Sequence, residues 1–235
     1  PARADAVAYC AQEAKLNPLL ATLAYLDMAR EAGAQLRPRT QATGLRLRGG
    51  RVAAVVTEAG EVEADVVVNA AGGWAGEIAR MAGVRVPVGY HRGTALVTEP
   101  WQQAIRTCIL DGQFLLPPQE PAPRREITLG AVQTRRGSIL ASRTKEHAPL
   151  GDTEITVQGL CLLAANLAAH FPQLGGVQVL RVWSSVTPFS LDGKPAFGFH
   201  REVPNLFALA GFKGAFGVAP VAGECAARAI LHGES

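Results

Sequence analysis

The stretch LFALAGFKGAFGVAPVAGECAARAILHG, from Leu206 to Gly233, decides the fold expected for this chain. An apolar, strand-like run enters a turn that carries Gly211, Gly214 and Gly217, and a helix of small residues follows, with Pro220 in its expected first turn. Glycine allows tight bends and close approach to a ligand, and a helix start presents amide groups with partial positive charge. The pattern predicts a helix start that faces an anion or an electron-rich ring oxygen. The alternative is a strand-to-helix turn that binds nothing.

Composition indicates an ordinary soluble globular protein of one or two domains. The chain has 235 residues, of which 48% are hydrophobic and 18% are charged, enough to form a sizeable core. The net charge of +3 is small and no basic stripe is present, so nucleic acid is not an expected partner. No apolar run reaches the roughly 18 to 20 residues of a membrane span, and PARADAVAYC does not resemble a signal peptide. We expect no transmembrane segment and a cytoplasmic location.

The cysteines and histidines do not form a recognisable metal or redox motif. The four cysteines and five histidines are isolated from one another, and no CxxC pair occurs. GxSxG, HExxH and P-loop motifs do not occur either. We therefore expect no metal site, and the common hydrolase and nucleotide-triphosphatase classes are excluded.

The segment NPLLATLAYLDMAREA predicts a helix from about Asn17 to Ala32. Asn17 is a suitable N-cap, Pro18 suits the first helical position, and Gly33 is expected to end the helix. The leucines and the methionine fall largely on one face at helical spacing, so a packed amphipathic helix is expected.

A β-hairpin and a buried strand are expected next. The segment GLRLRGGRVAAVVT alternates in polarity around a turn at Gly49–Gly50, and a second turn follows at Ala59–Gly60. The run DVVVNAA then predicts a fully buried strand. Small residues, from Ala70 to Gly73, follow where this strand meets a helix. In open α/β sheets ligands bind at the carboxyl ends of strands, so this junction and the turn from Gly211 to Gly217 are expected to form two walls of one site. Close helix packing is the alternative.

The middle of the chain, from about residue 87 to 187, predicts a different architecture. Short strands are separated by turns rich in Pro, Gly and Arg, and the one helical segment, TVQGLCLLAANLAAHF, ends at Pro172. This pattern is typical of an antiparallel sheet with a helix packed on it. The expected fold is a mixed α+β and α/β chain, with residues 1–85 and 188–235 forming one domain and residues 86–187 another.

Four segments in order resemble the D-amino-acid oxidase family of FAD-dependent oxidoreductases. They are EAKLNPLLATLAYLDMAREAGAQL, ADVVVNAAGGWAGEIARMAGVRVPVGYHRGTALVTEP, RVWSSVTPFSLDGKPAFG and NLFALAGFKGAFGVAPVAGECAARAI. The resemblance covers essentially the whole chain. It is strongest to the glycine oxidase, sarcosine oxidase, opine oxidase and hydrogen cyanide synthase branches of the family.

The resemblance implies a partial FAD-binding domain, residues 1–85 and 188–235, and a mainly antiparallel substrate-binding domain, residues 86–187. Members of the family begin with a strand, a GxGxxG turn and a helix that hold the FAD pyrophosphate, and nothing of that kind is found from Pro1 onward. The chain is therefore expected to be the C-terminal part of a longer enzyme. Its expected partner is an N-terminal FAD-binding segment or another subunit.

The resemblance also assigns cofactor-binding positions. In relatives the glycine turn before the last helix lies against the flavin ring and directs amide groups at its O2 edge. The corresponding FAD-binding residues here are Ala42, Ala71, Gly72, Trp74, Gly211, Gly214, Ala215, Phe216 and Gly217. The helix start near Val218, with Lys213 as an addition, would place positive charge near flavin N1 and O2.

The implied reaction is oxidation of an amine, amino acid or opine-like substrate by hydride transfer to flavin N5. Relatives such as glycine oxidase bind the substrate carboxylate with an arginine in GLRP, whereas this chain reads SVTP, with Thr187 in that position. Either the substrate is not a simple amino acid, or another cation (Arg92, Arg181 or Lys213) binds it, or a partner subunit does. Phe114 corresponds to an aromatic that faces the substrate, with a core phenylalanine as the alternative.

Two other functional classes remain open. One is a subunit of a hetero-oligomeric dehydrogenase that passes electrons to a partner or a quinone. The other is a binding or assembly module without flavin chemistry. The retained glycines favour an enzyme fragment that is inactive alone.

Overall fold

The computed structural model describes residues 6–12, 14–112, 125–212 and 214–233. The chain divides into two compact units: unit 1 is Pro1–Leu16 with His91–Val186, and unit 2 is Asn17–Tyr90 with Thr187–Ser235. Residues 1–16 are grouped with the middle of the chain, which differs from the expected boundaries. The assignment of the units to FAD binding and substrate binding stays a prediction.

Helices and strands alternate irregularly along the described residues. The helices are α1 (Pro18–Glu31), α2 (Ala75–Met81), α3 (Val157–His170) and α4 (Ala215–His232). The strands are β1 (Ala42–Arg48), β2 (Arg51–Thr57), β3 (Gly60–Glu63), β4 (Val67–Asn69), β5 (Val88–Pro100), β6 (Ile109–Leu110), β7 (Arg125–Gln133), β8 (Ser138–His147), β9 (Val179–Ser190), β10 (Ala196–Phe199) and β11 (Leu206–Ala210). Within the described ranges, no helix is both long and apolar enough to cross a membrane.

In unit 2, β1, β2 and β3 form an antiparallel meander. The tight turn between β1 and β2 uses Gly49 and Gly50, whose φ angles of 58° and 76° suit the two central positions of a hairpin turn. The next turn leads into β3 at Gly60, whose φ is 116°. The predicted hairpin and both of its turns are confirmed.

A second sheet of unit 2 has the order β10-β11-β4. Strand β11 is antiparallel to β10 and parallel to β4. Asn205, 2% exposed, links this sheet to the meander, because its Oδ1 accepts from Val52 N at 2.8 Å and its Nδ2 donates to the carbonyls of Val52 and Asp65 at 2.8 and 2.9 Å. The core of the unit joins residues from α2, both sheets and the connecting segments: Leu45, Val52, Ala75, Ala79, Ala82, Val84, Val86, Val203, Leu206 and Ala210.

The prediction of a fully buried strand in DVVVNAA is wrong for the chain as it stands. Strand β4 has three residues, lies at one end of its sheet, and leaves Val68 43% exposed. A continuous apolar run is typical of a strand flanked on both sides and covered on both faces. Among the described residues no strand pairs with the second side of β4, and part of one face of the strand is open.

Helix α1 forms where the sequence predicts it. The amides of Leu19 and Leu20 donate to Asn17 Oδ1 at 3.0 and 3.2 Å, Pro18 occupies the first helical position, and Gly33 follows the end with a φ of 95°. The expected packing is absent, however, because no residue of α1 is buried.

Unit 1 contains a five-stranded sheet in the order β6-β7-β8-β5-β9. The pairs β6–β7, β7–β8 and β8–β5 are antiparallel. Helix α3 begins after Thr156, whose Oγ1 accepts from Gly159 N at 3.2 Å, and packs Leu163 and Leu167 into the core of the unit. The predicted antiparallel sheet with a packed helix, and with it the mixed α+β fold, is confirmed.

Candidate functional site

The candidate site lies at the carboxyl ends of β4 and β11. The two strands are parallel neighbours, with Leu206 opposite Val67 and Ala208 opposite Asn69. Because parallel strands end at the same edge of a sheet, the turn after β4 and the glycine turn after β11 leave from one edge. The structure therefore brings together the two segments that the sequence analysis paired.

The turn after β4 is held by Asn69, which is 2% exposed. Its Nδ2 donates to the carbonyl of Ala75 at 2.8 Å, and its Oδ1 accepts from Ala71 N at 3.4 Å. This pairing bends the chain at once from β4 toward α2. Sequence analysis did not single out Asn69, although a lone polar residue inside VVVNAA is a signal for a buried, hydrogen-bonded side chain.

Gly72 and Trp74 complete this turn. Gly72 has a φ of 55°, and a Cβ placed on it would meet nothing within 4 Å. Trp74 is 57% exposed. The neighbouring Gly73 is buried, and its carbonyl accepts from the hydroxyl of Tyr90 at 2.9 Å. The buried side of the turn is thus held by the hydrogen bond from Tyr90, while Gly72 and Trp74 are exposed to solvent.

The three glycines after β11 differ in what requires them. Gly211 is buried with a φ of 75°, and a Cβ there would lie 3.2 Å from Ser190, so close packing requires it. Gly214 is exposed with a φ of 67°, and Gly217 lies in α4 without a positive φ. A Cβ on either of the last two would meet nothing within 4 Å. Only these two leave open space that a ligand can approach.

Helix α4 begins earlier than the sequence suggested. Its first residue is Ala215 and its N-cap is Gly214, whereas the predicted start was near Val218. Pro220 therefore lies beyond the first turn, where it removes the amide that would bond the carbonyl of Phe216. The first turn is exposed, including Phe216 at 48%, so the positive end of the helix dipole faces outward at the candidate site.

The remaining predicted cofactor residue, Ala42, does not lie at this edge. Ala42 begins β1 in the other sheet of unit 2 and is half-buried. Phe114 and Lys213 lie outside the described residues.

Arg92, one of the cations expected to bind the substrate, is part of a buried ion cluster in unit 1. Its Nη2 lies 3.1 Å from Glu146 Oε2 and its Nη1 lies 2.8 Å from Asp152 Oδ1. Arg125 Nη2 binds the same Glu146 oxygen at 3.0 Å. Hydrogen bonds from Arg125 and Arg92 outweigh burial and hold the pKa of Glu146 below its usual value. The guanidinium of Arg92 is therefore engaged in holding three segments of the unit together.

Two other arginines of unit 1 have different settings. Arg181 is exposed on β9, and Thr187, also exposed, follows it in the same strand. Arg143 is half-buried in β8 with a φ of 95°, and Gly130 makes room for it, because a Cβ there would lie 2.7 Å from Arg143 Cδ. Burial lowers the pKa of Arg143. No sequence motif marks this residue, since its strain arises from an irregularity in the β7–β8 pairing.

Comparisons with known proteins agree with the architecture. The sequence matches the family described as DAO, FAD dependent oxidoreductase, over residues 1–229. The chain is 29% identical to hydrogen cyanide synthase subunit HcnC of Pseudomonas aeruginosa over 191 residues, which are 80% of this chain and 42% of that protein. It is 31% identical to glycine oxidase of the same organism over 184 residues, 77% of this chain and 46% of that protein.

Solved structures show the same fold. L-proline dehydrogenase from P. horikoshii superposes with a TM-score of 0.82 at 26% identity, covering 93% of this chain and 56% of that one. Glycine oxidase from Bacillus cereus gives a TM-score of 0.74 at 20% identity, covering 91% and 56%. The chain thus spans about half the length of the relatives it matches. From the family match along nearly its whole length, we conclude that this chain belongs to the DAO family of FAD-dependent oxidoreductases.

Proposed function

We propose that the chain is the C-terminal part of an FAD-dependent oxidoreductase that oxidises an amine, an amino acid or an opine-like compound. The observation that carries the proposal is the shared edge of β4 and β11, where two open glycine turns meet the exposed start of α4. Relatives named glycine oxidase and sarcosine oxidase subunit beta support the substrate class.

The open glycines fit a flavin. A Cβ on Gly72, Gly214 or Gly217 would fill space that is otherwise empty, which allows a flat ring to approach the backbone. When bound, FAD supplies the electron acceptor for oxidation of the carbon beside the substrate nitrogen. The start of α4 would provide positive potential at the ring edge that gains negative charge, and Asn69 would hold the opposite turn in place.

In this proposal the residue that binds the substrate differs from the one in glycine oxidase. Thr187 replaces the family arginine of GLRP, and a hydroxyl cannot form the bidentate pair that binds a carboxylate. Arg92 would have to leave Glu146 and Asp152 before it could bind a substrate anion. Among the cations considered that the structure describes, Arg181 is therefore the better candidate, because its side chain is exposed.

A second candidate function is a subunit of a hetero-oligomeric dehydrogenase that has no flavin chemistry of its own. Relatives such as hydrogen cyanide synthase subunit HcnC and sarcosine oxidase subunit beta carry the word subunit in their names. Purification of the protein from its own source distinguishes the two functions. A stable partner chain, together with loss of activity when that chain is removed, would favour the subunit.

The test compares two glycines of one helix in the complete flavoprotein. Gly217 lies in the first turn of α4 and Gly223 lies further along, both have open space at Cβ, and neither has a positive φ. Gly217→Val is expected to lower the flavin-to-protein ratio or the rate of flavin reduction about tenfold or more, because the valine side chain would occupy the space through which the ring approaches the backbone amides. Gly223→Val is expected to leave both values unchanged.

Thermal unfolding of both variants serves as the control for folding. Gly214→Val would be uninformative, because valine at a φ of 67° is strained whether or not a flavin is near. Normal flavin content and normal reduction in Gly217→Val would show that the start of α4 does not contact the flavin.

A further inference from the structure

Arg143 lies on the face of the five-stranded sheet that is opposite helix α3. Leu129 and Ala131 of β7 belong to the core that α3 joins, and side chains alternate between the two faces of a strand, so Gly130 faces away from α3. A Cβ on Gly130 would lie 2.7 and 2.9 Å from Cδ and Cγ of Arg143. The side chain of Arg143 therefore extends over Gly130, on the face away from α3.

An irregularity of the sheet presents this arginine. The β7–β8 pairing shifts register where Thr128 and Leu129 of β7 lie opposite the single residue Arg143 of β8. Arg143 has a φ of 95°, a backbone conformation that is strained for a residue with a side chain. Strained backbone of this kind is concentrated at binding and catalytic sites, and glycine would adopt it without strain. The arginine side chain is thus held in place at a cost to stability, which indicates a use for it.

Arg181 lies on the same face of the sheet. Val182 of β9 packs against the core that α3 joins. Its neighbours in the strand, Arg181 and Trp183, therefore face away from α3, and both are exposed. Strands β8 and β9 are separated by β5 alone, so their backbones lie about 10 Å apart. Two long cationic side chains thus extend from one face of unit 1 at a spacing of two strands.

The surroundings of Arg143 combine apolar groups with few charges. Val97 and Leu140, which are paired across β5 and β8, are half-buried on the same face. Burial disfavours a charge, and it lowers the pKa of Arg143. Glu126, whose charge favours the protonated form of Arg143, lies 3.1 Å from Lys145 Nζ and is therefore shared with a second cation. An apolar surface with a few charged groups is the usual composition of a small-molecule site.

We infer that Arg143 and Arg181 bind the two carboxylates of a dicarboxylate substrate, an opine-like secondary amine whose nitrogen lies between two acid groups. Each guanidinium offers parallel N–H groups that match one carboxylate. A simple amino acid has one carboxylate and would use one of the two arginines. Thr187 in place of the GLRP arginine agrees with a different set of cations. The inference rests on the proposed function, whose substrate class it names.

Two probes that differ by one carboxylate test the inference on the complete flavoprotein. Sarcosine has one carboxylate, and iminodiacetate has one on each side of the same nitrogen. Calorimetry with the flavin reduced beforehand measures binding without turnover. Iminodiacetate is expected to bind about tenfold or more tightly than sarcosine, because it engages both guanidinium groups. In Arg143→Gly and in Arg181→Gly, where one arginine is left, the two probes are expected to bind with nearly equal affinity.

The control variant is Arg136→Gly, in the exposed turn that joins β7 to β8. It is expected to leave both affinities unchanged. Thermal unfolding separates ligand binding from a structural role, because glycine relieves the strain at position 143, so Arg143→Gly is not expected to lower the melting temperature. A lower melting temperature with an unchanged preference for iminodiacetate would show that Arg143 serves the fold, and would overturn the inference.

Flavin reduction, followed on oxidised samples of the same proteins, separates this inference from the proposed function. Reduction of bound FAD by sarcosine, in a protein that binds iminodiacetate no more tightly, would leave the function intact and overturn the two-arginine site. A preference for iminodiacetate that depends on both arginines, in a complete protein that holds no FAD, would support the site and contradict the function. Binding of neither probe by the unchanged protein would overturn the inference.

Discussion

Residues of the same type have different structural roles in this protein. Gly211 is required because its backbone packs against Ser190, whereas Gly214 and Gly217 face open space. Asn69 and Asn205 are both buried, but Asn69 holds the turn that directly follows it, whereas Asn205 joins backbone segments that are distant in sequence. A residue's type therefore indicates what it is able to do, and its neighbours determine which of those roles it has.

His91 gives a pH-dependent prediction at this scale. Burial, and then the positive charges of Lys145 and His147, lower the pKa of His91 from 6.5 to about 4. Its ring centroid lies 4.7 Å from that of His147 on the neighbouring strand. The unfolded chain binds a proton at His91 near pH 6.5 and the folded chain does not, so acidification from pH 6.5 to 4 lowers the free energy of unfolding.

We expect acidification to lower the free energy of unfolding by about 1 to 2 kcal/mol less in His91→Gln than in the unchanged protein. This value takes into account that the ring is partly exposed. The measurement is urea unfolding of both proteins at pH 7 and pH 4.5. Equal losses in the two proteins on acidification would show that His91 does not contribute. Residues that titrate in both proteins cancel in this comparison.

Helices α1 and α3 show that local signals do not determine packing. Each has 14 residues and a side-chain N-cap, Asn17 in one and Thr156 in the other. Helix α3 buries Gly159, Leu163 and Leu167 in unit 1, whereas no residue of α1 is buried. Capping defines where a helix begins, but burial requires a partner surface.

Gly159 allows α3 to approach the sheet closely, which leads to a prediction at the scale of the element. A Cβ there would lie 2.8 Å from Thr156 Oγ1 and 3.1 Å from Glu146 Oε1. We expect Gly159→Ala to destabilise the protein by about 1 to 3 kcal/mol, although alanine is the better helix former. Gly223→Ala in α4, where a Cβ meets nothing within 4 Å, is the matched control and is expected to be neutral or stabilising. Thermal and urea unfolding measure both, and a more stable Gly159→Ala would contradict the close approach.

The whole molecule gives a prediction about cofactor affinity. The chain matches 42% to 46% of its curated relatives, and the GxGxxG turn that binds a pyrophosphate does not occur in it. We therefore expect residues 1–235 alone to bind FAD more weakly than micromolar, that is, with less than about 8 kcal/mol. Equilibrium dialysis of this chain beside the complete protein makes the measurement. Micromolar or tighter binding by the chain alone would require a site other than the proposed one.

The sequence by itself determined the local elements, the mixed fold and the family. The cap at Asn17 and the turn at Gly49–Gly50 follow from short-range backbone preferences, which depend on neighbours along the chain. Only the tertiary structure decided that β4 is an end strand among the described residues, that no residue of α1 is buried and that Arg92 is held by Glu146 and Asp152. Burial and ion pairing depend on residues far away in sequence, or on chain beyond it, and no local pattern contains that information.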